Sequence, residues 1–157
     1  MKIYVLSDCH EDDTTLHVLF QKAGKVDFVI FLGDGIATFK QALLPYHLPY
    51  AAVKGNNDRG AQEPFDKVLT LKGRRFFLTH GHQYNVGTEK NALAAKAKEV
   101  GCETAFFGHT HMPFYKEVDG IMLINPGSTF YGRRGSKKSY GVLCLEEKDM
   151  SFQFCTL

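Results

Sequence analysis

The stretch DFVIFLGD, from Asp27 to Asp34, limits the possible folds of this chain more than any other segment. Its interior is almost continuously apolar, the pattern of a strand covered on both faces rather than one facing water. A second short apolar run, KIYVLS (Lys2 to Ser7), precedes it, and a third, PYAAVKGN (Pro49 to Asn56), follows. Between the first two runs, Thr14 to Ala23 carries Leu16, Leu19, Phe20 and Ala23 at helical spacing. Between the second and third, Ala37 to Leu44 is a short helix candidate stopped by Pro45. Strand, helix, strand, helix, strand at these spacings predicts a parallel α/β core.

The remainder changes character. Val68 to Gly81 predicts a hairpin turning near Lys72-Gly73, Glu89 to Val100 a helix ended by Gly101, and Thr104 to His109 a buried strand. Phe114 to Val118, Ile121 to Asn125, Tyr140 to Leu145 and Ser151 to Cys155 follow as short strands separated by glycine-bearing or charged turns. The expectation is one domain over 1–157 with a parallel half and a more antiparallel half, two sheets packed face to face with helices outside. A length of 157 residues sustains one core. With 44% hydrophobic and 23% charged residues, the composition excludes a disordered or collagen-like chain.

The polar residues that follow the strands carry the chemistry. Asp8-Cys9-His10, Gly33-Asp34, Gly55-Asn56-Asn57-Asp58, His80-Gly81-His82 and Gly108-His109-Thr110-His111 each end a predicted strand. The carboxyl ends of strands are where ligands collect in open α/β sheets, and the adjacent glycines let the backbone turn sharply. Asp8, His10, Asp34, Asn56, His80, His109 and His111 offer mixed oxygen and imidazole donors, which suit borderline first-row metals. In an extended strand end, residues i and i+2 point the same way, so Asp8 and His10 can chelate one ion. Seven donors are too many for one ion with an open position and about right for two sharing a carboxylate, for which Asp34, between two glycines, is the candidate. Any one of these motifs is commonplace in a loop; their joint, ordered occurrence is not. His17 and His47 belong to no motif and are expected on the surface or in the core.

These five blocks resemble the calcineurin-like metallophosphoesterase superfamily, whose pattern runs D-x-H, G-D, G-N-H-[DE], H-G and G-H-x-H. Asn125-Pro126-Gly127-Ser128 resembles a further segment of its small single-domain bacterial and archaeal phosphodiesterases. The resemblance implies a four-layer αββα sandwich of two mixed β-sheets flanked by helices. It implies two divalent ions, manganese first, with nickel, cobalt, iron or zinc as alternatives. Asp8, His10, Asp34 and His111 would hold one ion; Asp34, Asn56, His80 and His109 would hold the other. The activity implied is hydrolysis of phosphodiesters by a hydroxide bridging the two metals. The chain departs from the pattern at Asn57, where many members carry a histidine that contacts the phosphate and protonates the leaving group. Asn57 can donate a hydrogen bond but cannot act as an acid near neutral pH. His82 is the nearest replacement, Asn56 and Asn57 would help stabilise charge on the phosphoryl oxygens, and Asp58 is expected to orient a ligand histidine.

A small phosphoester or nucleotide-like substrate is therefore expected. The basic stretch Arg133, Arg134, Lys137 and Lys138 is a second phosphate contact or simply an exposed loop. A net charge of +2 predicts no dedicated nucleic-acid surface. No apolar run is long enough for a membrane span, and the four cysteines form no C-x-x-C pair. The absence of a signal-like segment and of paired cysteines favours the cytoplasm. Thirteen Phe and seven Tyr, some near loops (Phe114, Tyr115, Phe130, Tyr131), suggest a homo-oligomer interface. Two other functions compete: a protein-interaction scaffold, as in the eukaryotic retromer subunit of this fold, and a metal-dependent phosphomonoesterase.

Overall fold

The computed structural model describes residues 1–22 and 24–157. In chain order the elements are β1 (Lys2–Leu6), α1 (Asp13–Lys22), β2 (Phe28–Phe31), α2 (Ile36–Leu43), β3 (Tyr50–Ala52), β4 (Asp66–Leu71), β5 (Arg74–Thr79), α3 (Asn91–Glu99), β6 (Thr104–Phe106), β7 (Pro113–Val118), β8 (Ile121–Pro126), β9 (Ser139–Leu145) and β10 (Met150–Thr156). Ala23, expected as the last residue of the first helix, lies outside the described residues. The first sheet has the order β10-β9-β1-β2-β3 and the second β4-β5-β6-β8-β7.

The expected division into a parallel and an antiparallel half does not hold. β1 pairs parallel with β2 and β2 with β3, but β9 and β10 return from the C-terminus and extend the same sheet antiparallel from the other edge of β1. The second sheet is mixed too, with β5-β6 and β6-β8 parallel and β4-β5 and β7-β8 antiparallel. β1 between two neighbours is buried on both faces, which is why its sequence is so uniformly apolar.

The two-residue periodicity of the strands sorts the core into three layers of contact. Ile3, Val5, Ile30 and Leu32 of the first sheet meet Phe76, Leu78, Phe106 and Ile124 of the second. Tyr4, Leu6, Val29 and Phe31 point the other way, onto Leu16, Leu19 and Phe20 of α1 and Ile36 and Phe39 of α2. Phe77, Ala105 and Leu123 face Leu93, Ala94 and Ala97 of α3. Helices, sheet, sheet, helix: this is the four-layer αββα sandwich. Removing a ring such as Phe106, wholly buried between the sheets, would cost about 3–5 kcal/mol.

The local signals acted as expected at several ends. Lys72 and Gly73 both take positive φ (50° and 75°) and close the β4-β5 hairpin, as Asp119 and Gly120 close β7-β8. Asp12 accepts the Thr15 N–H at 3.0 Å and caps α1. Gly101 (φ 71°) ends α3, with the Cys102 N–H returning to the Ala97 carbonyl. Among the described residues no helix is long and apolar enough to cross a membrane.

Candidate metal centre

All five motifs converge on the edge of the sandwich formed by the carboxyl ends of β1, β2, β3, β5 and β6. The means of convergence differs from the strand alternation expected. Asp8, His10, Asp34, His109 and His111 all take left-handed backbone conformations, with φ of 53°, 49°, 59°, 68° and 59°. Such conformations cost about 1 kcal/mol or more each for a non-glycine residue and concentrate at functional sites. Short backbone bonds hold them: Asp8 N–H to the Gly33 carbonyl and His10 N–H to the Asp34 carbonyl, both 2.9 Å. Glycines let the loops come this close. A Cβ on Gly55 would strike the Asp34 carboxylate, and one on Gly108 would strike Ser7 Oγ.

Asp8 lies at the centre and is wholly buried. Its Oδ2 accepts Ser7 Oγ–H at 2.5 Å and the His109 N–H at 3.0 Å. Its Oδ1 has no hydrogen-bond partner and faces His111 Nε2 at 3.1 Å and His80 Nε2 at 3.9 Å. His111 Nδ1 lies 3.1 Å from the Tyr131 carbonyl, and His80 Nδ1 lies 2.7 Å from that of Leu32. A carbonyl only accepts, so both Nδ1 atoms carry protons and both Nε2 atoms point inward. His80 Nε2 is buried without a partner, 3.4 Å from Asp34 Oδ2. His111 Nε2 is 3.4 Å from His10 Nε2. Ring nitrogens and carboxylate oxygens thus face one another in two groups: Asp8, His10 and His111, and Asp8, Asp34 and His80, with donor atoms within 4.8 Å in each. Two buried carboxylates facing imidazole nitrogens, with Asp8 Oδ1 and His80 Nε2 lacking any partner, favour positive charge between them, and divalent cations fit the N/O donor set.

The electrostatics report the same demand. Burial opposes ionisation of Asp34, but the adjacent His80, 3.4 Å away, with two donors from Asn57, outweighs it and holds the carboxyl well below its usual range. Burial likewise opposes a charged His80, yet Asp34 and Asp8 raise its pKa. Burial and the neighbouring His80 lower the pKa values of His109 and His82. Burial also pushes the Cys9 thiol up, and its Sγ packs 3.3 Å from the Gly35 carbonyl, so the one cysteine among the motifs turns into the core instead of towards the donors.

The other expected site residues sit around these groups. The carboxylate common to both groups is Asp8; Asp34, the expected bridge, joins one of them. The His109 ring lies 5.2 Å from that of His80. Half-buried His82 lies 5.5 Å from His80 and 6.2 Å from His109. Asn56 is exposed on the rim of a separate hollow it shares with His82. Its neighbour Asn57 holds Asp34, the backbone N–H on Oδ1 at 2.9 Å and Nδ2–H on Oδ2 at 2.6 Å. Asp58 orients no histidine. Its two oxygens accept four backbone N–H groups, those of Asp34, Gly35, Ile36 and Gly55, at 2.7–2.9 Å. It pins the Asp34 loop and caps α2 from across the chain, because the amides at that turn have no nearer acceptor. His47 is exposed and His17 half-buried, both outside these groups. Of the basic stretch, Lys138 pairs with Asp12 at 2.8 Å, and Arg133 lies against the Tyr131 ring.

The Asn125-Pro126-Gly127-Ser128 segment, marked in the sequence by resemblance alone, completes the frame. Asn125, buried, donates to the Gly108 carbonyl at 2.7 Å and fixes the His109 loop. Ser128 Oγ donates to the Asp8 carbonyl at 2.8 Å and accepts the N–H groups of Phe130 and Tyr131. An open cleft of about 950 Å³ leads away from His10 and Asn57, between the start of α2 and the 57–63 loop.

A model of the calcineurin-like phosphoesterase superfamily domain matches residues 1–148. The chain belongs to that superfamily. It is a member of a family of metal-dependent phosphoester hydrolases, as its motifs indicate. It is similar to the phosphodiesterase YfcE of Escherichia coli K12, with 34% identity over 91% of this chain and 87% of the relative. The crystal structure of a predicted phosphoesterase from Streptococcus pneumoniae TIGR4 superimposes with a TM-score of 0.81 at 26% identity, covering 99% of this chain and 88% of the other. Wild-type Vps29 of Entamoeba histolytica, complexed with zinc, shares the fold with a TM-score of 0.81 at 22% identity, covering 98% and 97%.

Proposed function

We propose that this chain is a metal-dependent phosphodiesterase, formed as a single metallophosphoesterase domain over 1–157. Asp8, His10 and His111 would hold one divalent ion and Asp8, Asp34 and His80 a second; by the family resemblance Asp34 would also reach the first ion and Asn56 and His109 would complete the second, manganese being the first choice. The observation that carries this reading is the convergence of buried Asp8 Oδ1 and His80 Nε2, neither with a hydrogen-bond partner, with His111 Nε2 3.1 Å from the same Asp8 oxygen. Such ions, when bound, would supply a hydroxide nucleophile near neutral pH and polarise phosphoryl oxygens.

The chain's own groups do the rest. The Leu32 and Tyr131 carbonyls fix the tautomers of His80 and His111, so each presents Nε2 to the centre. Asp58 holds the Asp34 loop in its left-handed turn. The Asn57 amide lies at the mouth of the cleft, where it would donate to a phosphoryl oxygen and help stabilise its charge. It cannot protonate a leaving group; His82, close to it in sequence order of the motifs and half-buried beside His80 and His109, would take that role. Without a strong acid, diesters with stable leaving groups are favoured over monoesters. The substrate would be small or nucleotide-like. The four cysteines are all free, which fits a reducing cytoplasm.

The test is a chelator-stripped sample assayed on a chromogenic phosphodiester beside its matching monoester, with and without Mn²⁺. Metal-dependent diester turnover exceeding monoester turnover is expected. A faster monoester would move the protein to the phosphomonoesterase class. No turnover with Mn²⁺, Ni²⁺, Co²⁺ or Zn²⁺ would favour the second reading, a binding scaffold, which the fold shared with Vps29 supports.

A further inference from the structure

Phe130 and Tyr131 are 39% and 40% exposed, unusual for rings this close to a buried polar centre. Phe130 lies 5.5 Å from the His10 ring and lines the cleft beside it. Tyr131 lies 4.6 Å from the His111 ring. The pair is fixed in place: Ser128 Oγ accepts both backbone N–H groups at 3.1 Å, and the Tyr131 carbonyl binds His111 Nδ1. The two rings meet edge to face at 5.1 Å, and the Arg133 guanidinium sits 5.7 Å from the Tyr131 ring. Rigid aromatic faces left open next to a site for phosphate chemistry are what stacks a planar ring.

We infer that Phe130, braced edge to face by Tyr131, forms a stacking wall for an aromatic substituent of the phosphoester, so that the preferred substrate is a diester bearing a nucleoside. This rests on the phosphodiesterase reading and names its substrate class. The charges of the cleft narrow the class further. Lys40 is taken by Glu63 at 2.5 Å, and the carboxylate of Glu11 lines the same cleft, so Arg59 is its one cation without an ion pair among the described residues. That balance suits a singly charged diester with a neutral base and disfavours a polyphosphate. A volume of about 950 Å³ leaves room for a nucleoside beyond the phosphate.

The test uses the Mn²⁺-loaded protein hydrolysing methyl p-nitrophenyl phosphate. Adenosine 5′-monophosphate and methyl phosphate are compared as inhibitors, since both are monoesters of similar charge and differ in the ring. The nucleotide is expected to inhibit about five- to a hundredfold more tightly, the span of base–aromatic stacking. Phe130→Ala should collapse that ratio below about threefold, and Phe130→Leu should restore only part of it. Tyr115→Ala, removing an exposed ring on β7 that does not line the cleft, should leave it unchanged. Equal inhibition by the two ligands in the unaltered protein, or a ratio that survives Phe130→Ala, would overturn the inference. Absence of metal-dependent hydrolysis in the unaltered protein would instead overturn the phosphodiesterase reading.

Discussion

The Asp58 carboxylate receives the backbone N–H of Asp34 at 2.7 Å and three further amide N–H groups. One side chain thereby fixes the turn that presents a central carboxylate of the candidate site. Hydrogen bonds to a charged acceptor are worth about 1.5–3 kcal/mol each, and their loss strands partly buried donors. Asp58→Ala is expected to destabilise the fold by about 2–4 kcal/mol in urea titrations. Asp58→Asn keeps the shape but sets an amide donor against backbone donors, so it should recover little of this. A loss under about 0.5 kcal/mol for both variants would refute the anchoring role.

The partnerless Asp8 Oδ1 and His80 Nε2 predict that divalent metal stabilises the chelator-stripped protein. At a free Mn²⁺ concentration of a hundred times Kd, mass action contributes about 2.7 kcal/mol. For a domain of this size that raises Tm by roughly 5–10 °C. Asp34→Asn should abolish both the thermal shift and metal-dependent turnover. An Asp34→Asn variant that retains full metal-dependent turnover would sink the assignment of this carboxylate.

Much of this was legible in the sequence because rare residue types stood where strands end. Asp8-x-His10, His80-Gly81-His82 and His109-x-His111 announce donors, and Lys72-Gly73 announces a turn, from a few adjacent residues. Long-range pairing is not announced locally. Nothing in Ser139–Leu145 says that it joins β1 rather than the second sheet, since either edge would bury its alternate side chains. Left-handed backbone at Asp8, His10 or His111 is equally silent, because only glycine signals it by composition. Asp58 misleads for a related reason. An acid beside histidine-bearing motifs looks like their partner, whereas its oxygens go to amides that every sequence contains.

Gly108 packs against the site so closely that an added Cβ would meet Ser7 Oγ and come within 2.9 Å of Asp8 Oδ2. Gly108→Ala should therefore break the Ser7–Asp8 hydrogen bond and cost about 1–3 kcal/mol by overpacking. Metal affinity, read by calorimetry, should fall about tenfold or more. Adding Ser7→Ala removes the obstructing hydroxyl and should recover part of the stability, a coupling measurable in a double-mutant cycle. Equal metal affinity in Gly108→Ala and the unaltered protein would show that the contact is not needed.

Asp12 gives the chain an acid-sensitive link away from the metal donors. Its carboxylate caps Thr15 and pairs with Lys138, joining the start of α1 to the loop before β9. Burial opposes its ionisation, but the bonds from Lys138 and Thr15 outweigh it, so its folded pKa lies below the ordinary 3.8. A group whose pKa is depressed by folding stabilises the protein above its unfolded pKa. That contribution is lost as pH falls through the folded value, since the unfolded chain takes up the proton first. Asp12→Asn keeps the cap, asparagine being as good there as aspartate, and removes only the charge. It should cost about 0.5 kcal/mol at pH 7, as a partly exposed pair does, and the difference should vanish as pH falls well below 3.8. Lys138→Met should cost a similar amount in the unaltered protein and nothing further in Asp12→Asn. A difference that persists unchanged at low pH would mean that the ion pair does not provide the link.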